Sequence, residues 1–454
     1  MNADSNIPES RALRHRDAAH GVYEDLRQRL SEGSPQPRLA PTRRAVEILG
    51  DPHLVAPVIH LTGTNGKTST SRMIESLLRA TGLRTGMLTS PHLLYFTERI
   101  CIDGEPIADE AIVRNWAEVK PIIGLVDAEL RATDELPLTF FEALTVLAFA
   151  CFADAPVDVM VLEVGMGGEW DATNVADGQV AVFTPIAIDH VDRLGSTVTE
   201  IARTKSGIIK PAAAVVSAAQ TVEALAVLQE AADLREAHLR LADIDFAVSS
   251  SEPAPEGIRL TVRGIATDYP DLVLPLHGSH QAQNAALAVA AVEAFIGDGR
   301  VPLATEIVET GLATATSPGR LQRLSRSPLT LVDVAHNPHG IAALLAALAD
   351  YPGVDEFALV CGVLADKDWD GMARLLAPAA ARFFVTNPTS DRSLAPPLFA
   401  TALRTHGAHR VDTVPEAHDA LNAARDWASA APRRAVVVTG SVVLVGDVMA
   451  SAHA

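Results

Sequence analysis

Cysteine is scarce in this 454-residue chain: Cys101, Cys151 and Cys361 are the only three, odd in number and far apart. That excludes a disulfide framework, and the lack of any paired spacing excludes a cysteine metal centre. Basic residues are also in short supply. The 37 Lys and Arg face 56 Asp and Glu, for a net charge of −19. Broad nucleic-acid binding needs a basic face to meet phosphates, so that class of partner is excluded. A small anionic ligand is not, because a site can be locally positive on a negative protein. Long apolar runs are missing as well. The longest, residues 140–152, is interrupted by Glu142 and Thr145, and it falls short of the roughly 20 apolar residues that span a bilayer. The amino-terminal stretch MNADSNIPESRALRHRD lacks the apolar run of a secretory signal. There is no internal repeat and no low-complexity segment. A cytoplasmic, reduced, soluble protein without a membrane partner is the expectation.

What is present points to a globular protein. Hydrophobic residues make up 48% and charged residues 20%, enough for a large core. The length suggests roughly two to four domains. Residues 1–40 are polar, mixed in charge and end in a Pro-rich patch, so they read as a partly ordered lead-in. From Val58 the pattern becomes strand, loop, helix: VIHLTG, then GTNGKT, then an amphipathic helix closed by Gly82. Further apolar strands are expected at 85–90, 158–166, 179–186 and 213–218, with helices at 139–154 and 197–207. Strands alternating with helices imply a parallel sheet covered on both faces. Residues 240–276 instead read as short antiparallel strands. A helix around QAQNAALAVAAVEAF follows, and SPGRLQ (317–322) reads as a hinge. The strand–helix alternation then restarts with a Rossmann-like rhythm.

Gly63, Thr64, Asn65, Gly66, Lys67 and Thr68 lie between an apolar strand and a helix. Glycines allow the backbone to wrap an anion, while amides and the helix N-terminus point at phosphate oxygens. Lys67 can reach the β- and γ-phosphates and the Thr68 hydroxyl can meet Mg²⁺. The full G-x-x-x-x-G-K-[ST] pattern is not met, since its first glycine falls on Leu61. The alternative is a plain glycine turn, but the flanking strand and helix favour ATP binding.

GTNGKT, with TSPHLLYFTERI (89–100), DVMVLEVGMGGEWDATN (158–174), AIDHVDRLG (187–195), TKSGIIK (204–210), QNAALA (283–288), PGRLQ (318–322), VDVAHNPHG (332–340), VLADKDW (363–369) and TGSVVLVGDV (439–448), resembles the Mur-ligase-like ATP-dependent amide ligases. Within them the chain is similar to the folylpolyglutamate synthases, in the bacterial form shared with dihydrofolate synthase. The resemblance implies an α/β fold: an N-terminal P-loop ATPase-type domain (1–317) with a mostly parallel sheet plus a small antiparallel part, and a C-terminal Rossmann-like glutamate-ligase domain (318–454), with ATP and Mg²⁺ in the cleft. It implies ATP-dependent addition of L-glutamate to reduced folates and to 7,8-dihydropteroate, through an acyl phosphate, in a monomer. Two Mg²⁺ ions are expected, with K⁺ as a further candidate. A Mur-type UDP-muramoyl-peptide ligase ranks second, because only 62 residues precede Gly63. A non-catalytic nucleotide-binding protein is the third reading.

Read on its own, Glu163 ends an apolar strand at the edge where ligand crevices open, and it suits either a metal or a neighbouring backbone. The resemblance favours Mg²⁺, with Ser90, His190, Thr68 and a carbamylated Lys205 as its other ligands. Lys67, Lys205 and His336 are the implied catalytic residues. Asn284, Arg320 and Asp333 are the implied ATP contacts beyond the loop. Trp170, Asp171 and Ala172, with Thr139, Phe140, Phe141 and Glu142, match the pteroate pocket, although an aromatic pair there suits helix core equally well. Ser441 and His336 match positions near the incoming glutamate. Two departures stand out: Glu169 where relatives carry Arg, and Thr204 where they carry Glu.

Overall fold

The computed structural model describes residues 7–31 and 35–453. The chain divides into two compact units. The first comprises Met1–Ala247, Gly264–Thr267 and Ala286–Gly311, and the second Val248–Arg263, Asp268–Ala285 and Leu312–Ala454.

The first unit is built on an eight-stranded sheet. Its order is Glu105–Pro106, Ile100–Ile102, Thr85–Leu88, Val159–Glu163, Val58–Thr62, Gly178–Phe183, Ala214–Ser217 and His238–Leu241. All pairs from Thr85–Leu88 onward are parallel. Every residue of Val58–Thr62 and Val159–Glu163 is buried, as expected of central strands covered on both faces. Leu61 pairs with Glu163 and Thr62 with Phe183. The register therefore brings the carboxyl ends of three strands beside the glycine loop, where open α/β sheets bind ligands. Met160 and Leu162 belong to a core with residues of the helices Asp109–Ala132 and Phe140–Asp154. Phe183 and Val215 belong to a second core with residues of Val198–Ser206 and Val222–Leu234.

Two expectations need correction. Residues 7–27 form a helix, not an irregular lead-in. Ala19, Val22 and Leu26 enter the first core, and Leu26 is wholly buried. Tyr23 packs against the same core, and burying each large side chain contributes roughly 1.5–3 kcal/mol. Trp116 Nε1 also ties this helix down by donating to Asp25 at 3.0 Å. The second correction concerns the segment beginning at residue 239. His238–Leu241 is a parallel edge strand of the main sheet, not part of an antiparallel set. Its tripeptide LRL carries no mark of strand direction.

The second unit holds a three-stranded sheet in the order Asp268–Leu274, Gly257–Arg263, Ala247–Ala254, whose first pair is antiparallel. It also holds a six-stranded sheet in the order Gln322–Arg326, Leu329–Val332, Arg434–Thr439, Glu356–Cys361, Arg382–Val385, Val411–Thr413. Only the Gln322–Arg326 edge runs antiparallel. Leu344, Met372, Leu376, Phe399 and Leu403, from three helices, pack on Leu331, Leu359, Phe383 and Val437 of these strands. The three cysteines are buried and free. Among the described residues no helix is long and apolar enough to cross a membrane.

Candidate active site

The glycine loop is fixed before any ligand arrives. Gly63 has φ +150°, and a Cβ there would stand 1.8 Å from Thr184 Oγ1, so no other residue fits. Thr64 N–H donates to Pro185 O at 2.9 Å. The Thr64 hydroxyl donates to Ala187 O and accepts from Ala187 N–H, each at 2.9 Å. Gly66, at φ +88°, precedes the helix Lys67–Ala80 and supplies no side-chain cap. The first amides of that helix are therefore suited to an anion. Lys67 Nζ donates to the carbonyls of Gly63 and Thr64 at 3.2 Å, which holds its charge over the loop.

Glu163 is 1% exposed. Its Oε1 accepts from the Thr68 hydroxyl at 3.0 Å, and its Oε2 from Ser90 N–H at 3.4 Å. Three residues expected around a metal thus meet at one strand end, and they offer carboxylate and hydroxyl oxygens, the donor class Mg²⁺ prefers. Among the described residues no group of three or more His, Cys, Asp or Glu is placed to hold a metal ion. His190 sits at φ +51° before the short helix Val191–Leu194. Its ring is exposed, with Nε2 3.9 Å from Asp189 Oδ2.

Lys205 is buried at 4% exposure, and its Nζ donates to Gly63 O at 2.7 Å. A lysine on a helix is usually solvated. Here the helix end is held under the loop of residues 165–171. A Cβ on Gly168 would lie 2.7 Å from Lys205 O, and Glu169 N–H donates to Thr204 O at 2.8 Å. Burial, with the nearby Lys67 charge adding to it, pushes the Lys205 amine down to about 7; Asp189 and Asp171 pull weakly the other way.

Asp171 is fully enclosed and caps its own loop. It accepts from Met166 N–H and Thr173 N–H at 3.0 Å and from the Thr173 hydroxyl at 2.5 Å. Desolvation raises its pKa, and those donors oppose the rise. Ala172 is buried, while Trp170 packs half-buried against the second core. Thr139 and Glu142 form a capping box for Phe140–Asp154. Glu142 also takes two bonds from Arg38, at 3.0 and 3.2 Å. Phe140 lies in an aromatic cluster with Tyr23 and Phe96. Of these four residues, Phe141 is the one that reaches the loop after Glu163: a Cβ on Gly165 would stand 2.7 Å from its ring. Glu169 is exposed.

In the second unit, Asp333 Oδ2 accepts from Leu321 N–H at 2.8 Å and Oδ1 from Ala335 N–H at 2.9 Å. His336 Nδ1 is 2.8 Å from Val334 O, which makes it the protonated nitrogen. Ser441 Oγ accepts from Leu444 N–H at 3.1 Å. Gly440 N–H donates to Ala335 O at 3.1 Å, so the loops carrying His336 and Ser441 are joined. Asn284 Nδ2 donates to Gln281 Oε1 at 3.0 Å. Arg320 follows Gly319, whose φ is +72°. His280 escaped the sequence reading. Its half-buried ring lies near Asp333, Arg320 and His339, and desolvation lowers its pKa. His60 and Thr173 were missed too, 2.8 Å apart in the first unit. The signal available for His60 was a lone polar ring within an apolar strand.

Family models match at two places: the Mur ligase middle domain over residues 61–292, and the Mur ligase glutamate ligase domain over 319–442. The dihydrofolate synthase/folylpolyglutamate synthase of Mycobacterium tuberculosis is 42% identical over 443 residues, covering 93% of this chain and 91% of that protein. The folylpolyglutamate synthase of Lacticaseibacillus casei is 36% identical over 420 residues, covering 91% and 95%. The solved M. tuberculosis folylpolyglutamate synthase complexed with ADP and AMPPCP superposes with a TM-score of 0.91 at 40% identity, covering 97% of this chain and 99% of that one. The Escherichia coli FolC structure in complex with DHPP and ADP gives 0.82 at 29% identity, covering 96% and 97%. Fold and phosphate loop together define an ATP-dependent acid–amino-acid ligase of the Mur type. Within that class, the chain belongs to the folylpolyglutamate synthase/dihydrofolate synthase family.

Proposed function

We propose that this protein joins L-glutamate to reduced folates and to 7,8-dihydropteroate at the expense of ATP. The carrying observation is the convergence of Lys67, Thr68, Glu163 and Lys205 on one glycine loop. A substrate carboxylate attacks the γ-phosphorus, giving an acyl phosphate and ADP. The glutamate amine then attacks the acyl carbon, and phosphate leaves. Both partners in the first step are anions, so cations carry the stabilisation. Gly63, Thr64, Asn65, Gly66 and Lys67 hold the phosphates, while Thr68, Glu163, Ser90 and His190 are the protein ligands assigned to Mg²⁺. ATP is further assigned Asn284, Arg320 and Asp333, and glutamate is assigned His336 and Ser441. Trp170, Asp171, Ala172 and Thr139–Glu142 are assigned to the pteroate side. The functional boundary is placed at 317/318, between the two family matches.

Lys205 supplies a second anionic ligand by carbamylation. The neutral Lys205 amine attacks CO₂: an N–C bond forms as one C=O π pair moves onto oxygen, the nitrogen releases one proton to solvent, and the amine becomes an anionic carbamate. An amine brought down to about 7 by burial is substantially neutral at physiological pH, which is the state this addition needs. The test is a substrate matrix with products identified by mass. Phosphate release should require ATP, Mg²⁺, glutamate and a pteroate or folate together. Equal turnover without a pterin, or turnover with UDP-muramoyl peptides instead, would sink the proposal.

A further inference from the structure

Gln281 is a polar side chain at a position that excludes water. It is 1% exposed in the first turn of the helix Ser279–Gly297, while Gln283, two positions on, faces solvent. Burying an amide is costly unless it is hydrogen-bonded, so its partner carries information. That partner is Asn284, one turn along the same face and itself 6% exposed. Asn284 Nδ2 donates to Gln281 Oε1 at 3.0 Å, and the Asn284 side chain makes no other hydrogen bond among the described residues.

Donor counting gives the Asn284 amide one orientation. A carboxamide has two N–H donors and one carbonyl acceptor. Gln281 takes one of the donors. What remains is one N–H beside one C=O. Adenine fits this edge, because it offers an amino group at C6 next to a ring nitrogen; the same pairing lets asparagine read adenine in nucleic acids. Guanine and hypoxanthine carry an oxygen at C6. That oxygen would meet the Asn284 carbonyl, acceptor against acceptor.

The surroundings of the pair suit a nucleoside. Gly278, at φ +99°, immediately precedes the helix. A Cβ there would stand 2.6 Å from His280 Cε1 and 2.9 Å from Ala347 Cβ, so the first turn is set closely against the helix Pro338–Ala349. His280 lies four residues before Asn284 and shares its face. The charges of Asp333, Arg320 and His339 act on its ring. Asn284 therefore lies on the side where Arg320 and Asp333 are found, the latter with both oxygens held by backbone amides. All three residues assigned to ATP beyond the phosphate loop thus gather at one helix start within the second unit.

We infer that Gln281 is a positioning residue for nucleobase choice: by accepting from Asn284 it turns that amide so that its carbonyl faces the ligand, and the site selects adenine over 6-oxopurine nucleotides. The inference rests on the ligase reading above, through the assignment of Asn284 to ATP.

The test measures kcat/KM for ATP, GTP and ITP, each with Mg²⁺, glutamate and a folate. ITP has the C6 oxygen of GTP but lacks its C2 amino group. The unmodified protein should prefer ATP over both by about ten- to a hundredfold, the discrimination one bidentate amide supplies. ITP used as well as ATP overturns the inference, because rejection of GTP would then come from the C2 group. This arm needs no variant. Gln281→Leu removes the acceptor, frees the Asn284 amide to turn over and should erase most of the preference. Gln281→Glu keeps an acceptor and should keep the preference, although its charge should weaken all three nucleotides. A preference unchanged in Gln281→Leu, or lost in Gln281→Glu, overturns the inference; the latter would mean that Gln281 donates and the Asn284 amide faces the other way. The ratio is the readout because lost stability lowers activity with all three nucleotides alike. Calorimetric binding of ADP, GDP and IDP with Mg²⁺ separates the two readings. A preference for ADP that is lost in Gln281→Leu, in a protein that joins no glutamate to any folate, would sink the ligase reading and leave the nucleobase inference standing.

Discussion

Lys205 and Asp333 are almost equally buried, at 4% and 6% exposure, but their surroundings differ in kind. Both Asp333 oxygens are met by backbone N–H groups within 2.9 Å. Among the described residues, the Lys205 amine makes one hydrogen bond, to a carbonyl, and the Lys67 charge lies near enough to push it further down. Of the residues expected to meet nucleotide and glutamate in the second unit, Asp333 anchors a turn and Ser441 caps a helix. In the first unit, two amines, those of Lys67 and Lys205, donate to the carbonyls of one glycine loop. A group left electrostatically unfinished is a better guide to where an anionic ligand acts than a group already satisfied.

The strongest way to break this contrast is to remove the cation over the loop. Lys67→Ala should lower ligation by about a thousandfold, since charge stabilisation supplies most of the catalysis in phosphoryl transfer. The assay is phosphate release with ATP, Mg²⁺, glutamate and a folate. The fold should survive, because Gly63 O keeps Lys205 Nζ as a donor when Lys67 Nζ is removed, and the loop stays anchored through Thr64 to Pro185 and Ala187. Activity within tenfold of the parent would refute the assignment of the phosphate loop.

The second prediction concerns stability and its dependence on pH. The unfolded Lys205 titrates near 10.5 and the folded one at about 7. Between those values the unfolded chain binds more protons, so stability rises with pH across that window. Below about pH 7 both forms are protonated and the full penalty of a buried ammonium remains. Lys205→Met should therefore stabilise the protein most below pH 7, on the order of 2–4 kcal/mol, and the gain should fade toward pH 10.5. Denaturant melts at several pH values in CO₂-depleted buffer measure it. The same variant should lose most of its ligase activity. A stabilisation independent of pH would mean that the amine is solvated.

How far these features were legible in the sequence depends on whether their cause is local. The strand, loop and helix at 58–80 follow from an apolar run, two glycines and a 3.6-residue period, all within about twenty residues. Glu163 was visible as a charge ending an apolar strand. Thr139 and Glu142 carry the T-x-x-E signature of a capping box, and the structure shows that role beside the pocket role implied by resemblance. What escaped has distant partners. His60 meets Thr173 across 113 positions. Lys205 is buried by a loop that starts forty residues earlier, and nothing within a turn of its own helix signals this. The helix over 7–27 has only a thin apolar stripe, so its stability comes from Trp116, Leu138 and other residues supplied much later in the chain.

Predictions for the second unit are smaller, because they remove satisfied bonds instead of relieving unsatisfied charge. Asp333→Ala leaves Leu321 N–H and Ala335 N–H without their acceptors and should cost about 2 kcal/mol in a denaturant melt. Asp333→Asn keeps one acceptor oxygen and should cost about half as much. A cost near zero for Asp333→Ala would show that water replaces the carboxylate, and the contrast between the units would lose its basis.

The smallest effect expected is at Ser441, and it separates two roles of one hydroxyl. As a helix cap it accepts from Leu444 N–H, and Ser441→Ala should cost about 1 kcal/mol while Ser441→Gly should cost only a few tenths. If the hydroxyl also meets the incoming glutamate, both variants should raise the glutamate KM equally, since both lack the same oxygen. Stability should then rank alanine below glycine while KM does not distinguish them. A KM that follows the stability ranking would mean that Ser441 acts on glutamate only through the helix it caps. Its place would then be with Asp333 among the groups that shape the second unit, and His336 would be the nearest remaining candidate to touch the amino acid.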